Sequence, residues 1–265
     1  MMSTSAPVAS GSHRSSPPAL APERPVRWPK RAVRQLANGM QVVLVESRTF
    51  PKISAQLYFR SGNAVVAKRA PGLAEMTATV VRMGTASRAS RRIEEDLRRM
   101  GAGLGTHAGA DSSSISASGL AEFSHDILEL MADLARNASF PDDEFERERR
   151  QKVEELKIER TTPGFLASER LRGVLFGAHP YAVVAPTEEQ VAAFRREQLE
   201  EFYRHHYVPS DALLIVVGDF STDAMFEQVE KVFGSWKAPQ PVAPAWPDPA
   251  PATPVAPAWP EPAPA

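Results

Sequence analysis

Residues 71–85 read PGLAEMTATVVRMGT, and the reading of this stretch decides the fold. A helix begins around Gly72-Leu73-Ala74 and is followed by Gly84-Thr85, with Glu75 in the first turn, where the macrodipole favours a carboxylate. Side chains at i and i+4 of a helix share a face. A zinc site built on one helix face uses imidazoles one turn apart and a nearby carboxylate to take a proton from the bound water. The residues present are Glu75, Ala78 and Thr79. Ala78 offers no proton acceptor, and a carboxylate with a hydroxyl lacks the nitrogen donors a tight zinc site needs.

Outward from this helix the chain alternates patterned segments. Upstream, Asn38-Gly39 reads as a turn entering a strand over Met40–Val45, and Ile53–Phe59, between Pro51 and Ser61-Gly62, reads as its neighbour. Downstream, SRRIEEDLRRMG predicts a helix capped by Ser90 and closed by Gly101, with Ile93, Leu97 and Met100 on one apolar face. Leu104–Leu120 predicts two short strands joined near Asp111, and Phe123–Ala135 an amphipathic helix. Asp142–Arg160 is a charged helix with its acids first, Phe165–Phe176 another ending at Gly177, and Glu188–His206 holds at least one more. ALLIVVGDF from Ala212 is a buried strand stopped by Gly218-Asp219, and Thr222–Phe233 closes with a helix. Strands, then helices, then strand and helix again indicate an α+β domain, a mostly antiparallel sheet packed against helices.

Composition bounds the function. The chain has 265 residues, 43% of them hydrophobic, which is enough for a substantial core. Its 31 basic residues against 32 acidic ones give net charge −1, so no global charge attracts nucleic acid or an anionic membrane. The basic cluster Arg91, Arg92, Arg98 and Arg99 lacks interleaved aromatics and reads as a solvated helix face. Cysteine is absent, which excludes disulfides and thiol chemistry. There is no apolar run of membrane-spanning length, no Gly-rich phosphate loop and no G-x-S-x-G elbow.

The two ends differ from the middle. Residues 1–30 read as a disordered leader without an apolar signal core, so a cytoplasmic location is expected. In the tail, PVAPAWPDPAPAT from Pro241 is followed by PVAPAWPEPAPA from Pro254, a repeat of 13 residues. Proline at this density favours stiff polyproline II, so 239–265 reads as a linker or tail, with Trp246 and Trp259 available to a proline-recognition groove. The folded domain is placed at 31–238.

The flanks of the 71–85 helix, Gly72-Leu73-Ala74 and Gly84-Thr85, resemble those of the active-site helix in insulinase/pitrilysin peptidases, which carries H-x-x-E-H, the inverted zinc motif. The resemblance extends along the chain. NGMQVVLVESRTFPKISAQLYFRSGN resembles the family's opening hairpin, and NASFPDDEFERERRQKVEEL the segment supplying its third zinc ligand. LFGAHPYA (175–182) and FYRHHYVPSDALLIVVGDF (202–220) resemble two later signatures. On this resemblance Glu75, Ala78 and Thr79 stand where histidine, glutamate and histidine belong. Glu155, 76 residues beyond Thr79, is in register with the third ligand, with Glu148 seven residues before it and Glu154 as the adjacent alternative. Where the family often reads Leu-Asn-Ala in a strand lining the cleft, this chain has Leu104-Gly105-Thr106, which leaves Gly105, Thr106 and His107 to hold a peptide through main-chain bonds alone.

The six histidines form no obvious substitute centre. His13 is in the leader, His107 in the small-residue strand, His125 on an exposed helix side, His179 before Pro180, and His205 and His206 are adjacent and diverge. The resemblance thus implies a degenerate domain without a metal of its own, zinc belonging to active relatives. It would act as the non-catalytic or peptide-binding partner of a homologous peptidase subunit or of a second homologous domain. A purely structural assembly subunit is the alternative. A third reading, a residual metallopeptidase using Glu75 and Glu155 with a harder ion, lacks a general base at Ala78.

Overall fold

The computed structural model describes residues 28–238; the leader and the repeat-bearing tail lie outside the described residues. Six strands, β1 (Ala32–Gln35), β2 (Gln41–Glu46), β3 (Lys52–Phe59), β4 (Gly103–Ala108), β5 (Ser113–Leu120) and β6 (Ala212–Gly218), form one sheet in the order β1-β2-β6-β3-β5-β4. All pairings are antiparallel except β2 with β6. The fold is α+β, as the alternation of segments indicates.

One expectation is corrected. Ile53–Phe59 does not pair with Met40–Val45, because β6 lies between them. The hairpin at Asn38-Gly39 instead joins β1 to β2, with Gly39 at φ +92°. The physical reason lies in composition: ALLIVVG is the most continuously apolar strand, and a central slot pairs both of its edges while burying it.

Alternation along the strands defines a single core face. Val42 and Leu44, Ile53 to Phe59 at every second residue, Ile115 and Ala117, and Ala212, Leu214 and Val216 are all buried. Against this face pack α2 (Leu73–Val81), which meets β4 and β5, α4 (Ser124–Asn137), which meets β3 and β5, and α9 (Thr222–Phe233), which meets β2. Their periodic apolar residues, among them Val80, Ile127, Met131, Leu134 and Val229, are 0–1% exposed. The remaining helices are α1 (Asn63–Val66), α3 (Ser90–Met100), α5 (Asp142–Glu159), α6 (Pro163–Phe176), α7 (Glu188–Ala192) and α8 (Arg196–His206). α5 and α8 both pack on α2, whereas α6 buries none of its residues and leaves Leu166, Leu171, Val174 and Leu175 exposed.

α3 begins without the expected serine cap. Its N-cap is Ala89, and Ser90 is already the first helical residue. The entry is fixed instead by Thr85, whose Oγ1 accepts from the backbone N–H of Ser87 and Arg88 and donates to Asp133 Oδ2 at 2.8 Å. Arg88 also pairs with Asp133, so the Gly84-Thr85 end of the opening stretch is tied to α4. Burial alone would raise the Asp133 carboxyl, but bonds from Asn137, Thr85, Arg88 and Ser87 hold it below the usual aspartate value. At its other end α3 closes on Gly101 at φ +56° as expected.

The tightest backbone approach in the sheet is at Gly218, the last residue of β6. It has φ +147°, and an added Cβ would stand 2.1 Å from the Lys52 carbonyl oxygen. Gly218→Ala is expected to lower stability by about 2 kcal/mol or more, through strain and backbone displacement between β6 and β3. Chemical denaturation of the two proteins measures this, and equal midpoints would contradict it.

Candidate functional site

The site forms where α2 faces α5. Gly72 starts α2 at φ +84°, a conformation natural to glycine, and a Cβ there would lie 2.6 Å from Pro186 Cγ. Pro186 therefore seats directly over the helix start. Asn63 Oδ1 accepts from the Glu75 N–H at 3.3 Å and fixes the first turn. From this start one face of α2 presents Glu75, Met76 and Thr79 to a cavity of about 230 Å³. The opposite wall is α5, with Glu148, Gln151, Lys152 and Glu155, and Val191 and Phe194 help to close it.

Glu75, Thr79, Glu148 and Glu155 line the same cavity. Glu154 points away from it and pairs with Lys157 at 2.6 Å, so Glu155 is the cavity-facing member of that pair. Ala78 does not line the cavity and is 1% exposed, packed in the core. The Thr79 hydroxyl donates to the Glu75 carbonyl at 3.1 Å, a bond back to its own helix.

Lys152 is the residue that sequence reasoning missed. Its Nζ donates to Glu75 Oε1 at 2.8 Å and lies 3.8 Å from Glu155 Oε2, between the two helices. Glu155 also accepts from Gln151 at 3.0 Å, and Glu148 pairs with Arg147 at 3.0 Å. The available signal was periodicity: 148, 152 and 155 recur on one face of a helix. Burial disfavours the Lys152 charge, but the hydrogen bond and charge of Glu75, with Glu159 and Glu155, outweigh it and hold the ammonium above the ordinary lysine value. Lys152 is therefore a fixed positive charge at the centre of the site.

This donor set does not suit zinc. It offers carboxylates with one hydroxyl and one amide and no imidazole, and one of the carboxylates is bound to an ammonium that competes with any cation for the same oxygen. Among the described residues no group of three or more His, Asp or Glu side chains converges in a geometry that could hold a metal ion. The described histidines lie elsewhere. His125 is 3.1 Å from Glu129, and His179 Nδ1 accepts from the Tyr181 N–H. His205 Nδ1 is 2.8 Å from the Glu201 carbonyl, and His206 Nδ1 is 2.9 Å from Ser61 Oγ. Burial first, and then neighbouring His205, push His206 below the usual histidine value.

Beside the site runs β4, the last strand of the sheet, with β5 on one side and no strand on the other among the described residues. Gly105, Thr106 and His107 lie on it, paired with Ser116, Ile115 and Ser114.

Comparison with known proteins identifies the family. The family model described as "Insulinase (Peptidase family M16)" matches residues 41–173, half of the chain. The chain belongs to this family. A second model, "Peptidase M16 inactive domain", matches residues 193–263. An uncharacterized zinc protease of Bacillus subtilis, YmxG, is 24% identical over 202 residues, covering 76% of this chain and 49% of its own length. Subunit 1 of the cytochrome b-c1 complex of Caenorhabditis elegans is 25% identical over 191 residues, covering 72% of this chain and 40% of its own. The crystal structure of a peptidase M16 inactive domain from Pseudomonas fluorescens superimposes with a TM-score of 0.73 at 26% identity, over 81% of this chain and 52% of that one. This M16 chain thus spans about half the length of the relatives it matches.

Lys152→Met is expected to cost about 1 kcal/mol of stability at neutral pH, since it removes a partly exposed ion pair between α2 and α5. Because folding raises the Lys152 pKa, its contribution is complete below the ordinary value of 10.5 and fades as the pH climbs through the higher folded value. Denaturation curves of wild type and variant should therefore converge only in strong alkali, and curves that coincide at pH 7 would contradict the assignment.

Proposed function

We propose that this M16 domain, residues 31–238, is proteolytically inactive and serves as the peptide-holding, non-catalytic partner of a homologous peptidase domain. One observation carries the reading: the Lys152 ammonium bonded to Glu75 beside Glu155, at the positions that resemble the family's metal centre. Peptide cleavage there needs an activated water and a base that accepts its proton. Ala78 is buried and inert, Thr79 is committed to its own helix, and the Glu75 carboxylate is held by a built-in cation. Peptide holding needs less. The outer edge of β4, on which no strand lies among the described residues, supplies main-chain donors and acceptors, and Gly105 imposes no side chain on the approach.

The length comparison supports the partner. The relatives are about twice as long as the matched segment, so a second homologous unit, in the same or another chain, is what a closed cleft would require. A purely structural role is the second reading, favoured by similarity to a protein named as a subunit of the cytochrome b-c1 complex.

The test is metal analysis with a peptidase assay and a peptide-binding titration on the purified chain. Substoichiometric zinc, no cleavage and saturable binding of an extended peptide are expected. Stoichiometric zinc with cleavage blocked by a chelator would overturn the proposal. An inert protein that also binds no peptide would replace it with the structural reading.

A further inference from the structure

We propose that a second cavity beside the degenerate centre is a subsite for a carboxylate carried by an extended peptide, with Arg172 as the residue that reads it. The inference rests on the peptide-holding reading above and names the class of peptide. The cavity measures about 280 Å³ and lies among the start of α1, the Gly72 end of α2, the His107-Ala108 end of β4, Arg172 of α6 and the segment 180–186. That volume falls just below the roughly 300–1,000 Å³ of small-molecule sites and suits one or two side chains. Gly72, Glu75 and Pro186 line both cavities, so the two adjoin.

The sheet register decides how a peptide would meet it. Thr106 and Ala108 pair with Ile115 and Ser113, which are buried on the helix side of the sheet. A strand added to β4 continues the same pleat, so its alternate side chains project to the helix side, where the cavity opens. Ala64, Ala67, Val184 and Ala185 give that cavity a small apolar wall.

Charge selects the side chain. Glu75 lines the cavity, but its carboxylate already holds Lys152. The hydroxyl of Tyr181 is bonded to Asp111, at 2.7 and 2.6 Å from its two carboxylate oxygens. Arg172 makes no ion pair among the described residues, whereas Arg160, the residue that follows α5, is paired with Glu169 on the same helix as Arg172. An uncompensated guanidinium at the mouth of an apolar recess favours a carboxylate, which it can grip with two parallel hydrogen bonds. A Glu or Asp side chain and a free chain terminus both carry that group.

Calorimetric titration of the full chain at low ionic strength, with three peptides, tests this. They are acetyl-Ala-Val-Glu-Val-Ala-amide, its Gln counterpart, and the Gln peptide with a free C-terminus. At least one of the two carboxylate peptides should bind roughly fivefold more tightly than the blocked Gln peptide, the size expected of a partly exposed charge pair. Which one does so identifies the source of the carboxylate. Arg172→Ala should abolish the difference, and Arg172→Glu should reverse it, so that the blocked Gln peptide binds more tightly than either carboxylate peptide. Arg172 is exposed and packs on nothing that the fold requires, so these variants report on the ligand. Equal binding of all three peptides to the wild type, or a preference that survives Arg172→Ala, overturns this inference and leaves peptide holding intact. Absence of binding by every peptide overturns both.

Discussion

The sheet holds together through β6. Without it, β1-β2 and β3-β5-β4 are two separate ribbons, since among the described residues no strand pairing joins them except through this strand. Both of its edges are paired, from Gln41↔Leu213 to Glu46↔Gly218 on one side and from Ile53↔Gly218 to Phe59↔Ala212 on the other. It also supplies Leu214 and Val216 to the core. Residues 212–218 complete the pairing of the segment 41–59, and pairings of such sequence separation close slowly because loop entropy is lost before contacts accumulate.

From that sheet the site follows. α2 lies on β4 and β5, α5 lies on α2, and the cavity is the space the two helices leave beside the sheet edge. The electrostatics are local and self-contained. Glu75, Glu148 and Glu155 would repel one another if left alone, and Lys152, Arg147 and Gln151 each answer one of them. Gln151 is neutral, so the cavity keeps a net negative charge with its one ammonium already engaged by Glu75, whereas the adjoining recess sets Arg172 beside that same Glu75.

Much of this was legible in the sequence because it is local. The apolar runs VVLV and LLIVV marked strands, and Gly101 marked a helix end. What was not legible is non-local. No pattern near β2 or β3 announces that β6 will come between them, and Ser90 has the composition of a cap while the Thr85 turn, anchored on distant Asp133, does the work. Lys152 sits in a run of charges where any lysine reads as solvated. Only the approach of α2 from another part of the chain gives it a partner.

The ammonium between α2 and α5 differs from a metal in one respect that reaches beyond geometry. A bound ion ties a protein's stability to the free concentration of that ion, by mass action, and a chelator can withdraw it. Lys152 is attached to the chain, so its local concentration is set by the fold itself. The charge that ties these two helices together is supplied at synthesis, and it is indifferent to the metal content of whatever surroundings the protein occupies.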